Sequence, residues 1–468
     1  MEKKNPLEKK LCYERKLAWD EFSPESRKKT LEFAEGYKEF LTRGKTEWEV
    51  ITEGTKMAEK AGFIPLEKIK KGSFKGKRVY ADNRGKNLFL SVLGKKPISE
   101  GVRIIIAHID SPRLDLKAHP VYEEENLAFF KTHYYGGIKK YQWVTIPLAL
   151  HGVVVLKNGK KINLVIGEKK EEPVFTITDL LPHLASDQMK KSLEKGIEGE
   201  ALNILAGSIP HQNKDVKERI KLAILEKLNQ KYNFTEEDLV SSNIEAVPAG
   251  EARDAGLDKS LIAAYGQDDR VCVYSSLKAI CELKNPETTC FCMLVDKEEI
   301  GSEGVNSAQS TSLLSFLSEI LNLSSPKATE LQLRRILSSS QAISADVNAG
   351  VDPAYKDVNE LRNSPRIGCG VVLTKFTGKG GKGGSSEASS EFVAYLRNLF
   401  EKRKVIWQTG ELGKIDQGGG GTVAKYLARY NCEVIDCGTA LLSMHAPLEI
   451  AHKADIYSTY QAYSAFYK

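Results

Sequence analysis

The sequence predicts an α/β fold in which a discontinuous α/β domain, with a mixed central sheet and helices on both faces, is interrupted by a β-rich insertion. Short apolar runs such as residues 102–107 are nearly continuous, which is typical of strands buried on both faces of a sheet. From about residue 118 the sequence pattern changes to that of alternating strands, and the pattern of short apolar runs resumes near residue 260. A chain of 468 residues also exceeds what one hydrophobic core usually supports. We therefore predict one α/β domain from residues 1–117 and 244–468, and an inserted domain at 118–243.

The individual elements support this division in chain order. Ser23-Pro-Glu-Ser is a start signal for an amphipathic helix that runs toward Leu41. Strands are predicted in the α/β part at residues 88–93 and 102–107 and in the insertion at 127–132, 141–150, 152–156 and 161–166. Asn158-Gly159 predicts a hairpin turn, and a charged helix is expected between residue 214 and about residue 232.

Charge and composition exclude several function classes. The chain has 68 Lys and Arg against 62 Asp and Glu, a small net charge of +6, and its densest basic stretch at residues 68–78 contains a single aromatic residue. We therefore expect no nucleic-acid partner. Because no apolar run approaches the roughly 18 residues of a membrane span and the N-terminus is charged, we expect a soluble, cytoplasmic protein without a membrane partner. Eight cysteines without a Cys-x-x-Cys pair indicate reduced thiols.

Side chains that can bind metal follow several of the predicted strands. Ligands of open α/β sheets bind at the carboxyl ends of strands, and a strand-end histidine or carboxylate alone is weak evidence of a site. Here such residues recur, and a further Asp-Asp pair precedes a helix with a 3.6-residue apolar period. The residues are His108, Asp110, Asp268, Asp269, Glu298, Glu299, Asp346 and His445. So many carboxylates at one sheet edge are costly without a cation, and mixed histidine and carboxylate ligands suit zinc, with cobalt or manganese as substitutes.

The number of ligands predicts two metal ions per subunit. Four residues can act as terminal ligands, two for each ion, and Asp268 can bridge the pair; the four are His108, Glu299, Asp346 and His445. Glu298 points away from Glu299 on an extended segment, so its free carboxylate is the predicted general base. Asp110 points the same way as His108 and is predicted to orient the imidazole.

The motifs around these residues resemble the aspartyl aminopeptidase and aminopeptidase I family of dinuclear zinc exopeptidases over essentially the whole chain. They are His108-Ile-Asp-Ser-Pro-Arg, the Asp268-Asp-Arg group, Asp296-Lys-Glu-Glu-Ile-Gly-Ser-Glu, Ser344-Ala-Asp and Ser443-Met-His. The resemblance implies removal of N-terminal residues from peptide substrates. It places one zinc on His108, Asp268 and Asp346, and the other on Asp268, Glu299 and His445. Alignment of the following helix favours Asp268 over Asp269 as the bridge, with Asp269 and Arg270 forming a charge pair.

The resemblance also suggests a role for the insertion. In the family this domain forms dimers that assemble into a tetrahedral dodecamer, and one of its histidines reaches the active site of a neighbouring subunit. The position of His151 resembles that histidine, which implies a homo-oligomer in which His151 stabilises the oxyanion.

One stretch departs from the family pattern. Members specific for acidic N-terminal residues carry a lysine in the segment that matches residues 366–371, where this chain has Gly368-Cys-Gly. Lys375 and the glycine- and lysine-rich loop at residues 378–384 are the alternative cations. Without such a cation, we expect neutral N-terminal residues to be hydrolysed at least as well as Asp or Glu.

Other functions fit part of the pattern. A related dinuclear amidohydrolase, or a neutral or glutamyl aminopeptidase, would use the same residues on another substrate. A metal-stabilised assembly protein with vestigial activity would need the ligands but not a base, so the presence of Glu298 argues against it.

Overall fold

The computed structural model describes residues 5–69, 77–324 and 329–468. The charged N-terminal tetrapeptide and most of the basic stretch at residues 68–78 lie outside these ranges. The α-helices of the described residues are α1 Pro6–Leu11, α2 Ala18–Glu21, α3 Pro24–Arg43, α4 Glu47–Lys60, α5 Ser186–Lys190, α6 Leu193–Gly196, α7 Arg219–Tyr232, α8 Gln267–Glu282, α9 Ser312–Ser324, α10 Glu330–Ser338, α11 Ser390–Arg403, α12 Ala424–Ala428 and α13 Lys453–Tyr467. None of them combines the length and the apolar character that a membrane-spanning helix requires.

The strands of the described residues form three sheets. They are β1 Ile64–Pro65, β2 Arg78–Asp82, β3 Leu88–Val92, β4 Arg103–His108, β5 Arg113–Glu124, β6 Leu127–Tyr135, β7 Leu148–Val155, β8 Lys161–Ile166, β9 Ile204–Gly207, β10 Ser242–Pro248, β11 Arg253–Ala255, β12 Leu261–Ala264, β13 Cys290–Val295, β14 Gln341–Ser344, β15 Asn348–Ala349, β16 Val371–Thr374, β17 Trp407–Thr409, β18 Glu433–Gly438, β19 Ala440–Leu442 and β20 Glu449–His452.

The central sheet is mixed and has helices on both faces, which confirms the predicted α/β class. Its order is β1-β2-β3-β13-β4-β14-β18-β16-β17, and β4 runs parallel to both β13 and β14. Alternate residues of β4 enter different cores. Ile105 packs in a core that includes residues of α3, α4, α8 and α13, whereas Ile104 packs with residues of α9 and α10. The apolar run predicted at residues 102–107 is thus a strand buried on both faces.

Helix α3 shows how local sequence sets an element boundary. It begins one residue after Ser23, whose hydroxyl oxygen accepts a hydrogen bond from the backbone N–H of Ser26 at 3.2 Å. Pro24 occupies the first helical position, where its missing N–H costs nothing. The helix predicted from Ser23-Pro-Glu-Ser is confirmed and ends at Arg43.

A six-stranded antiparallel sheet is built from the middle of the chain, in the order β8-β7-β10-β5-β6-β9. Along the chain, the first strand of this sheet, β5, begins at Arg113 and the last, β10, ends at Pro248. The sheet therefore extends beyond residues 118–243 on both sides. The two strands expected at residues 141–150 and 152–156 are one strand, β7, which starts only after Pro147. The first half of β5 was not predicted, because its charged residues interrupt the apolar pattern of a strand.

A five-stranded sheet, β11-β12-β20-β19-β15, lies beside the carboxyl edge of the central sheet. β15 begins two residues after Asp346, and the turn between β19 and β20 contains His445. This sheet therefore carries two of the predicted metal ligands on short connections.

Candidate metal centre

Several of the residues predicted to bind metal or to act as the base lie at, or just after, the carboxyl ends of adjacent strands. His108 is the last residue of β4, Glu298 and Glu299 lie in a 3-10 turn after β13, and Asp346 follows β14. Because β13, β4 and β14 are parallel neighbours, their ends meet at one edge of the sheet. Asp268 comes to the same edge from the start of α8.

Asp268 lies between the two histidines. Its Oδ1 is 3.2 Å from His108 Nε2, and its Oδ2 is 3.3 Å from His445 Nε2. On one side, His108 Nε2 is 3.9 Å from Asp346 Oδ1. On the other side, His445 Nε2 is 3.4 Å from Glu299 Oε2. The arrangement has the symmetry expected of two ion sites that share one carboxylate.

Asp110 organises the site in a way that sequence reasoning only partly anticipated. His108 Nδ1 is 3.0 Å from the carbonyl oxygen of Asp110 and 3.4 Å from its Oδ1. The two carboxylate oxygens accept hydrogen bonds from the backbone N–H groups of Glu298 and Glu299, each at 3.1 Å. Asp110 therefore contacts His108 mainly through its backbone, while its carboxylate holds the turn that carries the predicted base.

Glu449 is a second supporting carboxylate, and the sequence analysis missed it. It accepts hydrogen bonds from the backbone N–H groups of Gln267, Asp268 and His445 at 2.6, 3.1 and 2.8 Å. It thus ties the start of α8 to the turn that holds His445. The available signal was a carboxylate four residues after His445, which is too common a pattern to be noticed.

The cluster cannot carry all of its negative charge without a cation. Burial, together with the neighbouring charges of Asp110 and Asp268, raises the pKa of Glu298 to about 7. Burial likewise holds the pKa values of Glu299 and Asp346 well above their ordinary range. The pKa of Asp268 is instead lowered, because hydrogen bonds from His108 and His445 outweigh its burial.

The donor set fits a metal ion. Glu299 Oε1 is buried and accepts no hydrogen bond, a costly state for a carboxylate oxygen without another partner. Two groups place one ligand atom from each residue within 4.8 Å of the others: His108, Asp268 and Glu299 form one, and Asp268, Asp269 and Asp346 the other. Asp268 belongs to both groups. Imidazole nitrogen and carboxylate oxygen together are typical zinc ligands.

The predicted charge pair between Asp269 and Arg270 is wrong. The guanidinium of Arg270 donates to the carbonyl oxygen of Lys45 at 2.8 Å and lies 5.3 Å over the ring of Tyr265. Asp269 faces Asp268 and Asp346 instead, and burial raises its pKa well above the ordinary value. The guanidinium of Arg270 points toward Lys45 and Tyr265, so it does not neutralise the adjacent Asp269.

His151 does not belong to the cluster of its own chain, and its contacts within the chain argue against the role predicted for it in a neighbouring subunit. Its side chain is 3% exposed, on β7. Nδ1 lies 2.7 Å from Glu49 and Nε2 2.9 Å from Glu168 of the same chain, and these two carboxylates raise its pKa although burial opposes them. With both ring nitrogens engaged, His151 has no free nitrogen to offer a neighbouring active site.

A cavity of about 320 Å³ opens onto the cluster. Its walls include apolar side chains and the glycine- and lysine-rich loop, among them Phe376, Gly378, Lys382, Leu412, Ile415 and Met444. The Gly368-Cys-Gly stretch does not line the cavity, contrary to expectation, because the backbone N–H groups of Gly368 and Gly370 bind the buried Asp455 carboxylate. Lys375 does not line the cavity and donates a hydrogen bond to Ser390. Lys382 and Lys414 are the lysines of the described cavity wall.

Metal removal is expected to make stability depend strongly on pH. Without metal, Glu298 binds a proton more tightly in the folded chain than in the unfolded chain, so its contribution to stability is lost as the pH rises from its ordinary 4.5 through about 7. The chelated protein should therefore melt at a lower temperature at pH 8 than at pH 6, and zinc should raise the melting temperature most at pH 8. Equal melting temperatures with and without zinc at pH 8 would contradict a metal-neutralised cluster.

Comparison with known proteins shows the family of this chain. The family profile described as aminopeptidase I zinc metalloprotease (M18) matches residues 40–467. A probable M18 family aminopeptidase 1 of Clostridium acetobutylicum is 50% identical over 459 residues, covering 97% of this chain and 98% of that protein. The crystal structure of an M18 family aminopeptidase from Thermotoga maritima superposes with a TM-score of 0.94 at 45% identity, covering 97% of this chain and 99% of that one. These matches confirm the resemblance inferred from the motifs: the chain belongs to the M18 family of aminopeptidase I zinc metalloproteases and is a zinc aminopeptidase.

Proposed function

We propose that the enzyme removes N-terminal residues from peptides with two zinc ions per subunit and with Glu298 as the general base. The observation that carries this proposal is the position of Asp268, whose two oxygens face His108 and His445 at 3.2 and 3.3 Å. One carboxylate between two imidazoles supports a bridging role. Zinc would be held on one side by His108, Asp268 and Asp346, and on the other by Asp268, Glu299 and His445, with cobalt or manganese as substitutes.

Zinc would supply Lewis acidity, lowering the pKa of a water and polarising the scissile carbonyl. Glu298 lines the cavity, and its backbone N–H is fixed by Asp110. Its burial and raised pKa suit a group that accepts a proton from water and then returns it to the leaving amine. The adjacent Glu299 faces His445, so the two glutamates can divide base and ligand roles.

The acidic cluster also explains why the substrate would need a free amino group. The free α-amine of the substrate would bind a zinc ion and pair with a nearby carboxylate of the cavity wall. Blocking that amine would remove the pairing and place an apolar acyl group against carboxylates. The test is a panel of aminoacyl amides with N-acetylated counterparts. Turnover restricted to free amines supports an aminopeptidase, whereas equal turnover of blocked substrates would favour a related amidohydrolase.

The cavity wall predicts a preference for neutral N-terminal residues. Phe376, Leu412 and Met444 offer an apolar surface, Lys382 is already paired with Glu387 at 3.2 Å, and Lys414 is exposed to solvent. A substrate carboxylate buried without a cation costs several kcal/mol, and each ~1.4 kcal/mol is tenfold in affinity. We expect kcat/KM for leucyl and alanyl substrates to equal or exceed that for aspartyl and glutamyl substrates. A strong acidic preference that disappears in Lys382→Ala or Lys414→Ala would show that the wall lysines bind the substrate carboxylate.

We further propose that residues 118–243 act as an oligomerisation domain in a homo-oligomer, as a dimer-based dodecamer. A solved structure of yeast aminopeptidase 1, 19% identical to this chain, is described as a dodecamer. In this chain, large apolar side chains are exposed on one stretch of the insertion: Val174, Leu180, Leu181, Leu184, Met189, Leu193 and Ile209. Large apolar side chains that stay exposed in such number are common where proteins associate. Sedimentation velocity on the full chain tests the assembly.

A further inference from the structure

We propose that residues 135–137, at the end of strand β6 of the inserted sheet, position the metal ligands and the general base of the same chain. This inference rests on the proposed two-zinc function. The segment contacts the site at three successive residues, Tyr135, Gly136 and Gly137. The inserted sheet would thus be part of the catalytic unit within a single subunit, in addition to any role in assembly.

The first contact acts through Asp110. The Tyr135 hydroxyl donates to Asp110 Oδ2 at 2.8 Å, and the same carboxylate accepts the backbone N–H groups of Glu298 and Glu299. Tyr135 therefore fixes the rotation of the carboxylate that holds the turn of the predicted base. Burial and the charge of Asp110 hold the pKa of Tyr135 above its ordinary value, so its hydroxyl remains a donor.

The second contact acts on His445. Its Nδ1 lies 2.8 Å from the carbonyl oxygen of Gly137, so Nδ1 carries the hydrogen and donates it. Nε2 is thereby the nitrogen that faces Asp268 and Glu299, and it is the one that would give up its proton to bind a metal ion. Carbonyl partners of this kind orient metal-binding histidines and fix their tautomer.

The third contact is a close approach of backbone to a ligand side chain. A Cβ built on Gly136 would lie 3.3 Å from Glu299 Cβ and 3.4 Å from its Oε2. The φ angle of Gly136 is +73°, a conformation that favours glycine. The chain can therefore turn directly against Glu299 at this residue.

Arg113 anchors the segment from behind. Its guanidinium lies 3.8 Å over the Tyr135 ring and pairs with Glu47 at 2.9 Å and Glu245 at 3.3 Å. These partners belong to α4 and β10, so the tyrosine is held by elements of both the α/β part and the inserted sheet. Tyr135 is not among the residues that line the cavity, and it acts as a positioning residue through Asp110.

The test compares Tyr135→Phe with Tyr134→Phe in the full-length protein. Tyr135→Phe keeps the ring under Arg113 and removes only the hydroxyl. Tyr134 is its neighbour on the same strand, is 40% exposed and points to the opposite face. Zinc affinity is read by competition with a chelator, and kcat and KM are measured separately on a leucyl substrate.

We expect Tyr135→Phe to lose roughly 10–100-fold in zinc affinity or kcat, the usual cost of removing an outer partner of a metal site, while KM changes little. Tyr134→Phe should match the wild type. The inference is overturned if Tyr135→Phe equals Tyr134→Phe in zinc affinity and kcat, even if it melts at a lower temperature. A wild-type protein that neither binds zinc nor cleaves the substrate would instead refute the proposed function itself.

Discussion

Glu298→Gln is expected to retain two zinc ions per subunit and to lose roughly 10²–10⁴-fold in kcat, the usual effect of removing a general base. Glutamine has nearly the same shape as glutamate but cannot accept the proton. The ligands, His108, Asp268, Glu299, Asp346 and His445, are unchanged in this variant. The loss should therefore appear in turnover and not in metal content.

The measurement pairs zinc analysis with kcat on a leucyl peptide. Glu303→Gln is a matched control, because Glu303 lies four residues after Glu299 on the same connection, is exposed and contacts Gln309. It should behave as the wild type. Near-normal turnover in Glu298→Gln would remove Glu298 from the mechanism, and loss of zinc would make it a ligand.

Asp268→Ala is expected to weaken both zinc sites, with a loss of zinc affinity beyond the roughly 10–100-fold typical of outer partners. The reason is that the two oxygens of Asp268 face different histidines, whereas Asp346 and His445 each lie on one side. Asp346→Ala and His445→Ala should each mainly affect one ion. Zinc stoichiometry during dialysis against a graded chelator separates these cases.

Asp269→Ala is the informative comparison for the bridge. Asp269 faces Asp268 and Asp346 but belongs to only one of the two candidate ligand groups. Its replacement should therefore cost less zinc affinity than Asp268→Ala. If Asp269→Ala releases both ions while Asp268→Ala retains one, the assignment of the bridge must be reversed.

Much of the site was predictable because its ligands lie at strand ends. His108 ends β4, and the apolar run before it already indicated a buried strand. Parallel neighbours bring their carboxyl ends together, so residues distant in sequence could be grouped without knowing the exact order of strands. The α/β class followed from the same runs.

The supporting contacts could not be predicted in this way. Tyr135 lies 25 residues from Asp110 and Glu449 lies 181 residues from Asp268, and neither pairing leaves a local pattern in the sequence. The role predicted for His151 rested on the resemblance, and the contacts of its ring with Glu49 and Glu168 left no recognisable pattern in the sequence.

The Gly368-Cys-Gly segment lies away from the cavity for a structural reason. Gly368 and Gly370 both have positive φ angles and direct their N–H groups to Asp455. That geometry turns the segment into the protein interior, so a sequence position matched to a substrate-binding lysine does not reach the cavity. The lysines that do reach it, Lys382 and Lys414, come from two different loops.

Zinc titration of the metal-depleted protein tests the central claim most directly. Bound zinc per subunit and hydrolysis of a leucyl peptide are followed together, with the N-acetylated peptide as control. The two-zinc account predicts that activity on the free-amine peptide reaches its full value as the second equivalent of zinc binds, and that the blocked peptide stays intact. Full activity at one equivalent, or cleavage of the blocked peptide at a similar rate, would contradict a dinuclear aminopeptidase.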